Sequence, residues 1–456
     1  MKQLTLGSLF SGSGGFELAG KLCGIKPLWA SEIEPFPIRV TTKRLPEVQH
    51  LGDIRRIDGT KIPPVDIVAM GSPCTNLSTA NAKREGLAGS QSGLFYEAIR
   101  IIKEMRKEMK NEYPRFVTWE NVPGVFSSSD REDFRKVLME IINIIAPGAS
   151  VPAPDKNGWS YADVLVGDGW SLAYRTIDAQ YFGVAQRRKR IYLVCDLMSE
   201  RAGDILFERE GVCRDFAALG CPGESPAGSA ADGADAAIAF LPGALKRLGT
   251  APNIELSPTL RAKVSDNSPP AVAIENHPAD SRFKISKDGK VQTLSSNMGT
   301  GGNNTPMALC LAGNIIDRGA KSGGNGLGVN EEVSFTLNTA DRHAVAESDG
   351  CHYIVRRLIP QECAMLQGFI PSYCAGLETP EPTEADIAFW AKVFEEHRLA
   401  VGKAKKPKTR NQIVKWLRNP HSDSAEWKMW GNGICLQCAV FVLGGIAELI
   451  RGEDNS

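Results

Sequence analysis

Over residues 1–195 the chain alternates short, apolar, β-branched runs with segments of helical periodicity, and this alternation limits the fold more than any other feature. Residues 4–10 read as a strand, followed by a glycine turn and a helix from Phe16 to about Cys23. Residues 28–32, 67–70, 116–119 and 191–195 read as further strands. Between them, 94–109 (Leu94, Ala98, Ile101, Ile102 and Met105) and 134–145 repeat apolar residues at helical spacing. Strands of this kind joined by helices predict a doubly wound α/β sheet.

At 456 residues the chain exceeds one ordinary core, so two domains are expected. The composition shifts after residue 199. Residues 217–238 are Ala/Gly-rich and read as a linker or loop, and from about 240 to 350 Gly, Asn, Ser, Thr and Pro dominate. A weak repeat of strand, polar loop and strand recurs there, starting at Pro258-Thr259-Leu260, Gln292-Thr293-Leu294 and Phe335-Thr336-Leu337. It predicts either three hairpins offering polar loops to a surface or ordinary turn-rich β structure. Helical order returns after 356. Residues 361–367 read as helical, and Thr383 with Asp386 caps a helix with Ile387, Trp390, Val393 and Phe394 on one face. The apolar segment 434–450 requires burial, most simply against the first domain. The expected divisions are therefore 1–199, 200–355 and 356–456.

With 42% apolar and 23% charged residues and no run of about 18 apolar ones, nothing spans a membrane. The first residues enter a strand directly, so the expectation is a cytoplasmic protein with reduced thiols. The one CxxC, Cys435-Leu436-Gln437-Cys438, lacks a second pair, so no metal site is expected. Fifty-three basic and 53 acidic residues cancel, and any nucleic-acid contact must come from local patches. Arg187–Arg190 and the lysine-rich run 403–410 are such patches, the second reading equally well as a solvated loop between helices.

The residues that carry chemistry follow the strands. Phe10-Ser11-Gly12-Ser13-Gly14-Gly15 lets backbone approach a cofactor and frees helix N–H groups, although dehydrogenases and methyltransferases share such loops. Glu32, ending the second strand, suits a ribose diol, and Asp53 suits an adenine amino group. An NAD enzyme would account for the first two features but leaves Pro73-Cys74 without a role. C5 of cytosine is too weakly nucleophilic to be methylated directly. A thiolate adding to C6, as Cys74 could, makes C5 enamine-like. An acid near N3, as Glu120 could be, and an arginine near O2, as Arg190 could be, would share the charge that develops. Taken singly, a cysteine after a strand is more often packing, and a Glu-Asn at a strand end is more often a turn. Their joint order favours the chemistry.

In that order the chain resembles the DNA (cytosine-5)-methyltransferases. Phe10, Ser11, Gly12, Gly14 and Gly15 resemble the family's S-adenosyl-L-methionine loop. Glu32 resembles its ribose-binding acid, and Asp53-Ile54 its adenine-binding pair. Gly71-Ser72-Pro73-Cys74 and Glu120-Asn121-Val122 are similar to the nucleophile and acid motifs, and Gln186, Arg188 and Arg190 to Gln-x-Arg-x-Arg. Residues 356–369 resemble the ninth motif, which organises the recognition domain, and Gly431-Asn432-Gly433 the tenth, which returns to the cofactor. The resemblance implies a Rossmann-like, S-adenosyl-L-methionine-dependent catalytic domain at 1–199 and a smaller β-rich target-recognition domain at 200–355. Residues 356–456 would form the hinge, a helical insert and a helix returning to the catalytic domain.

The implied catalytic residues are Cys74, Glu120, Arg188 and Arg190. Ile33, Pro73, Leu94, Asn432 and Gly433 join the cofactor set. Residues 75–93 resemble a mobile catalytic loop, with Ser78, Lys83, Arg84 and Gln186 at the DNA. Departures fall at Ile33, where an aromatic often stands, at Ala185 in place of a proline, and at Ile359 and Gln361. The implied partner is double-stranded DNA with a flipped target base, methylated by a monomer, and a cognate restriction endonuclease fits the same picture. Methylation of RNA, a non-catalytic DNA-binding scaffold and an NAD oxidoreductase are the rival readings.

Overall fold

The computed structural model describes residues 3–72, 93–207, 239–240, 271–272, 309–311, 329–331, 344–348, 353–402 and 404–454. The chain divides into two compact units. One comprises 1–182, 189–214 and 372–456, and the other 183–188 and 215–371. The chain thus leaves the first unit briefly at 183–188 and finally re-enters it at Ser372.

The first unit is built on an eight-stranded sheet in the order β3-β2-β1-β4-β5-β8-β7-β6. The strands are β1 (Thr5–Leu9), β2 (Lys26–Ser31), β3 (Gln49–His50), β4 (Ile67–Met70), β5 (Phe116–Asn121), β6 (Ala162–Gly167), β7 (Trp170–Asp178) and β8 (Lys189–Asp196). β1 to β5 run parallel, and β8, β7 and β6 are antiparallel to their neighbours. The strand order reverses between β1 and β4. At such a switch point the strands' carboxyl ends leave a crevice for ligands. All four residues of β4 are buried, as a strand covered on both faces must be.

Helices α1 (Gly15–Leu22), α2 (Pro35–Arg44), α3 (Gly93–Glu108), α4 (Glu132–Ile142) and α5 (Ala202–Leu206) accompany the sheet. Phe95, Ala98, Ile102 and Met105 of α3 and Phe134, Val137 and Ile141 of α4 share one core with Leu9, Val68, Met70, Val117 and Trp119. In the second unit the described strands form a two-stranded sheet of 239–240 with 271–272 and a four-stranded antiparallel sheet from 309–311, 329–331, 344–348 and 353–357. The strand segments of the repeat that begin at 258, 292 and 335 lie outside the described residues, as does the linker 217–238. Helix α6 (Pro360–Leu366) belongs to this unit.

From 372 onward the chain returns as four helices: α7 (Glu384–Val401), α8 (Arg410–Arg418), α9 (Asp423–Asn432) and α10 (Leu436–Asp454). α10 lies along α1. The Cys23 thiol is 3.5 Å from the Val440 carbonyl oxygen, and Arg451 donates to the Cys23 carbonyl at 3.1 Å. At its far end Glu453 pairs with Arg115, which also holds the buried Asp196 at 3.0 Å. Cys435 and Cys438 are buried around the helix start. Thr383 and Asp386 cap α7 reciprocally, and Ile387, Trp390, Val393 and Phe394 are its buried face. That face meets Ile413 and Leu417 of α8 and Ile38 of α2. The basic run around 403–410 is the link between α7 and α8, where Lys408 sits 5.0 Å over the Phe394 ring and Arg410 pairs with Glu384. Among the described residues no single helix is long and apolar enough to cross a membrane.

Candidate active site

Register brings the site together. β4 and β5 run parallel with Met70 opposite Trp119, so the next residues, Gly71 and Glu120, are neighbours. A side-chain carbon on Gly71 would stand 3.5 Å from Glu120 Oε2. β5 pairs antiparallel with β8, with Asn121 opposite Ile191, which sets Arg190 beside the same carboxylate. Arg190 Nε and Glu120 Oε1 are 3.1 Å apart, and both side chains are only 13% exposed. A pair so enclosed is screened little by solvent.

Ser72 is held by the residues flanking Glu120. Trp119 Nε1 donates to Ser72 Oγ at 2.9 Å, and Asn121 Nδ2 donates to the same oxygen at 3.1 Å. All three side chains are buried. The strand that delivers the acid thus also pins the backbone leading into Pro73-Cys74. Ser72 received no role from the sequence, where only its place in the motif marked it. Pro73, Cys74, Ser78, Lys83 and Arg84 lie outside the described residues.

The glycine loop lies at the end of β1. Phe10 and Gly12 have positive φ, and Gly14 (φ 81°) caps α1 in the left-handed region, which only glycine enters cheaply. Gly12 faces open space: a side-chain carbon there would meet nothing within 4 Å. Glu32, at the end of β2, reaches across, and its carboxylate accepts from the N–H groups of Gly12 (2.8 Å), Ile33 (2.7 Å) and Glu34 (2.9 Å). Burial pushes the Glu32 carboxyl up, against those three bonds. The carboxylate keeps acceptor capacity for hydroxyl donors. Asp53 grips Arg55 through both oxygens. Burial acts against its ionisation, but the Arg55 bonds prevail and hold the carboxyl low. Ile54 is buried behind it, and Leu94 sits half-buried in the first turn of α3.

The returning helices close the other side of the loop. A side-chain carbon on Gly433 would be 3.4 Å from Ser13 Oγ, and the Tyr373 hydroxyl donates to the Ser13 carbonyl at 3.1 Å. Asn432, beside Gly433, is exposed at the end of α9. Beneath the loop Ser11 Oγ donates to the buried Glu17, whose carboxyl burial pushes up. Sequence reading passed over Glu17, because a charged residue in a first helical turn is ordinary. Gln186 and Arg188 belong to the second unit and are buried. Gln186, expected at the DNA, is fully enclosed, and its amide has no hydrogen-bond partner among the described residues. Only Arg190 of that motif lies in the first unit.

The cradle suits an adenosine cofactor with a charged tail: an open glycine turn, an acid at the end of β2, and a second acid after β3. With Glu120 and Arg190 on adjoining strand ends, the sheet and its glycine turn have the Rossmann-like fold of methyltransferases. Comparison with known proteins narrows the class. Residues 4–144 match the model of the family described as C-5 cytosine-specific DNA methylase.

The chain is 32% identical over 241 residues to the "DNA N-6-adenine-methyltransferase" of Escherichia phage P1, covering 48% of this chain and 32% of that protein. It is 32% identical over 203 residues to "Type II methyltransferase M2.BsuMI" of Bacillus subtilis (strain 168), covering 44% of each. To "Type II methyltransferase M.MspI" of Moraxella sp it is 33% identical over 190 residues, covering 41% of this chain and 38% of that one. The matches therefore span less than half the length of these relatives.

Proposed function

We propose that the protein transfers a methyl group from S-adenosyl-L-methionine to C5 of cytosine in a short specific sequence of double-stranded DNA. The observation that carries this reading is the Glu120 carboxylate. It stands between Arg190 and the Gly71-Ser72 backbone that runs into Cys74, two strands away from the glycine loop. S-adenosyl-L-methionine would supply an electrophilic methyl group. Phe10, Ser11, Gly12, Gly14, Gly15, Glu32, Ile33, Asp53, Ile54, Pro73, Leu94, Asn432 and Gly433 would hold it.

The rest falls to the chain's own side chains. The Cys74 sulfur forms a bond to C6 of a cytosine turned out of the stack, and the C5=C6 electron pair moves so that C5 becomes the nucleophile. Glu120 holds a proton at N3, and Arg190 stabilises charge at O2. C5 gains the methyl group and loses its proton to a base such as water. The electron pair returns to C5=C6 as the C6–S bond breaks. Ser78, Lys83 and Arg84 would serve the DNA, and side chains within about 200–355 would read base edges. The type II names among the relatives support a restriction–modification setting.

The test is methylation of duplex DNA with tritiated cofactor, followed by nucleoside analysis. Label in 5-methylcytosine, and a covalent adduct on DNA carrying 5-fluorocytosine, are expected. Label on adenine, the base for which the phage P1 relative is named, would overturn the reading.

A further inference from the structure

The helical insert between Ser372 and α9 has no part in the reaction described above, yet α7 touches the sheet beside two of the cofactor turns. The first contact is at Gly52, the residue before Asp53. Gly52 has φ +77°, and a side-chain carbon there would collide with the Glu396 carboxylate, whose Cδ would lie 3.3 Å away. The second is at Glu34, which follows Glu32 and Ile33 and precedes α2. His397 Nε2 lies 3.7 Å from Glu34 Oε2, and Lys428 Nζ of α9 lies 2.8 Å from Glu34 Oε1. The His397 imidazole first, and Lys428 after it, hold the Glu34 carboxyl down at about 2 against the opposing effect of burial. Glu34 also donates its backbone N–H to Glu32. Displacing Glu34 therefore displaces the proposed ribose acid.

α7 is fixed independently of these contacts. Its apolar face is packed on α8 and α2, and buried Arg39 of α2 donates to the carbonyls of Leu377, Trp416, Leu417 and Asn419. Its polar edge is thus presented rigidly to the two turns.

We propose that α7 is the outer wall of the adenosine end of the cofactor site, with Glu396 and His397 as positioning residues that set affinity for S-adenosyl-L-methionine. This rests on the cofactor reading given above. Ile33 offers an adenine no aromatic ring to stack on, and a wall that pre-organises the flanking turns removes ordering entropy that binding would otherwise have to overcome.

The experiment is calorimetric titration of S-adenosyl-L-methionine into the full chain and into His397→Ala, His397→Gln and Glu396→Gln, with thermal melting of each free protein. His397→Ala is expected to raise Kd on the order of tenfold, with His397→Gln recovering most of it. Glu396→Gln is expected to raise Kd as well. In turnover the loss should fall on KM for the cofactor and leave kcat at saturation within about twofold. A wild-type Kd in folded His397→Ala or in folded Glu396→Gln overturns the proposal. Should His397→Ala fail to melt cooperatively, the isosteric Glu396→Gln decides it. A wild-type chain that binds no S-adenosyl-L-methionine sinks the cofactor reading itself, whereas equal binding by wild type and variants sinks only the wall.

Discussion

Glu120 Oε1 and Arg190 Nε face each other at 3.1 Å across the paired ends of β5 and β8. The pair places a carboxylate and a fixed positive charge side by side, next to the Gly71-Ser72 backbone. Glu120→Gln keeps the shape and removes the acid. The rate of methylation should fall by roughly two to four decades with little change in KM for DNA, the usual scale of general acid catalysis. Single-turnover kinetics at saturating DNA checks it, and an unchanged rate would remove the N3 role.

Cys74→Ala should abolish turnover and the 5-fluorocytosine adduct while leaving calorimetric cofactor binding intact. Residual methylation by this variant would exclude the addition–elimination route.

Ser72→Ala removes the acceptor shared by Trp119 and Asn121 and leaves buried donors on both sides of Glu120. A loss of about 1–3 kcal/mol in urea unfolding is expected. A larger proportional fall in kcat than in cofactor affinity should accompany it, and Ser72→Thr should recover part of both.

Gly14→Ala must hold alanine at φ 81°, with its new carbon 2.9 Å from Leu45 Cδ1 and 3.0 Å from Thr41 Cγ2. The strain is about 1–3 kcal/mol. Binding of S-adenosyl-L-methionine should weaken at least tenfold by calorimetry, since the loop and the start of α1 must shift together.

The His50 imidazole, held down at about 4 by burial first and by nearby Lys392 second, yields a pH prediction. Once the chain unfolds, His50 regains an ordinary value of about 6.5 and takes up a proton before the folded form does. Its contribution is therefore complete above about 6.5 and is lost as pH falls toward 4. Chemical denaturation between pH 7 and 4 should show stability declining, and His50→Gln should flatten that decline.

Much of the first unit was legible because its signals are local. The runs read as strands in the first 195 residues are β1, β2, β4, β5 and β8, each a short segment rich in apolar residues. Thr383 and Asp386 announced α7, and the four apolar residues spaced along it are the ones buried. The hairpin β6–β7 escaped notice because β6 is a half-exposed edge strand, Ala162–Gly167, that needs no apolar run. β3, at two residues, is too short to carry a period. The antiparallel half of the sheet was equally hidden, since strand direction depends on the connection and not on the strand's own residues.

Within the candidate site, Glu120 and the glycine turn could be picked out from residue type and position alone, because a strand end and a positive-φ turn are set by neighbouring residues. The clamp on Ser72, the approach of Arg190 and the seating of α7 against Gly52 and Glu34 arise between segments far apart in the chain. They follow from strand register and helix packing, which shift whole elements relative to one another, so no local pattern encodes them. The sequence by itself determined which chemical groups the protein carries and the turns that present them. Only the tertiary structure decided which of those groups stand within bonding distance, because that distance is set by how sheet and helices pack.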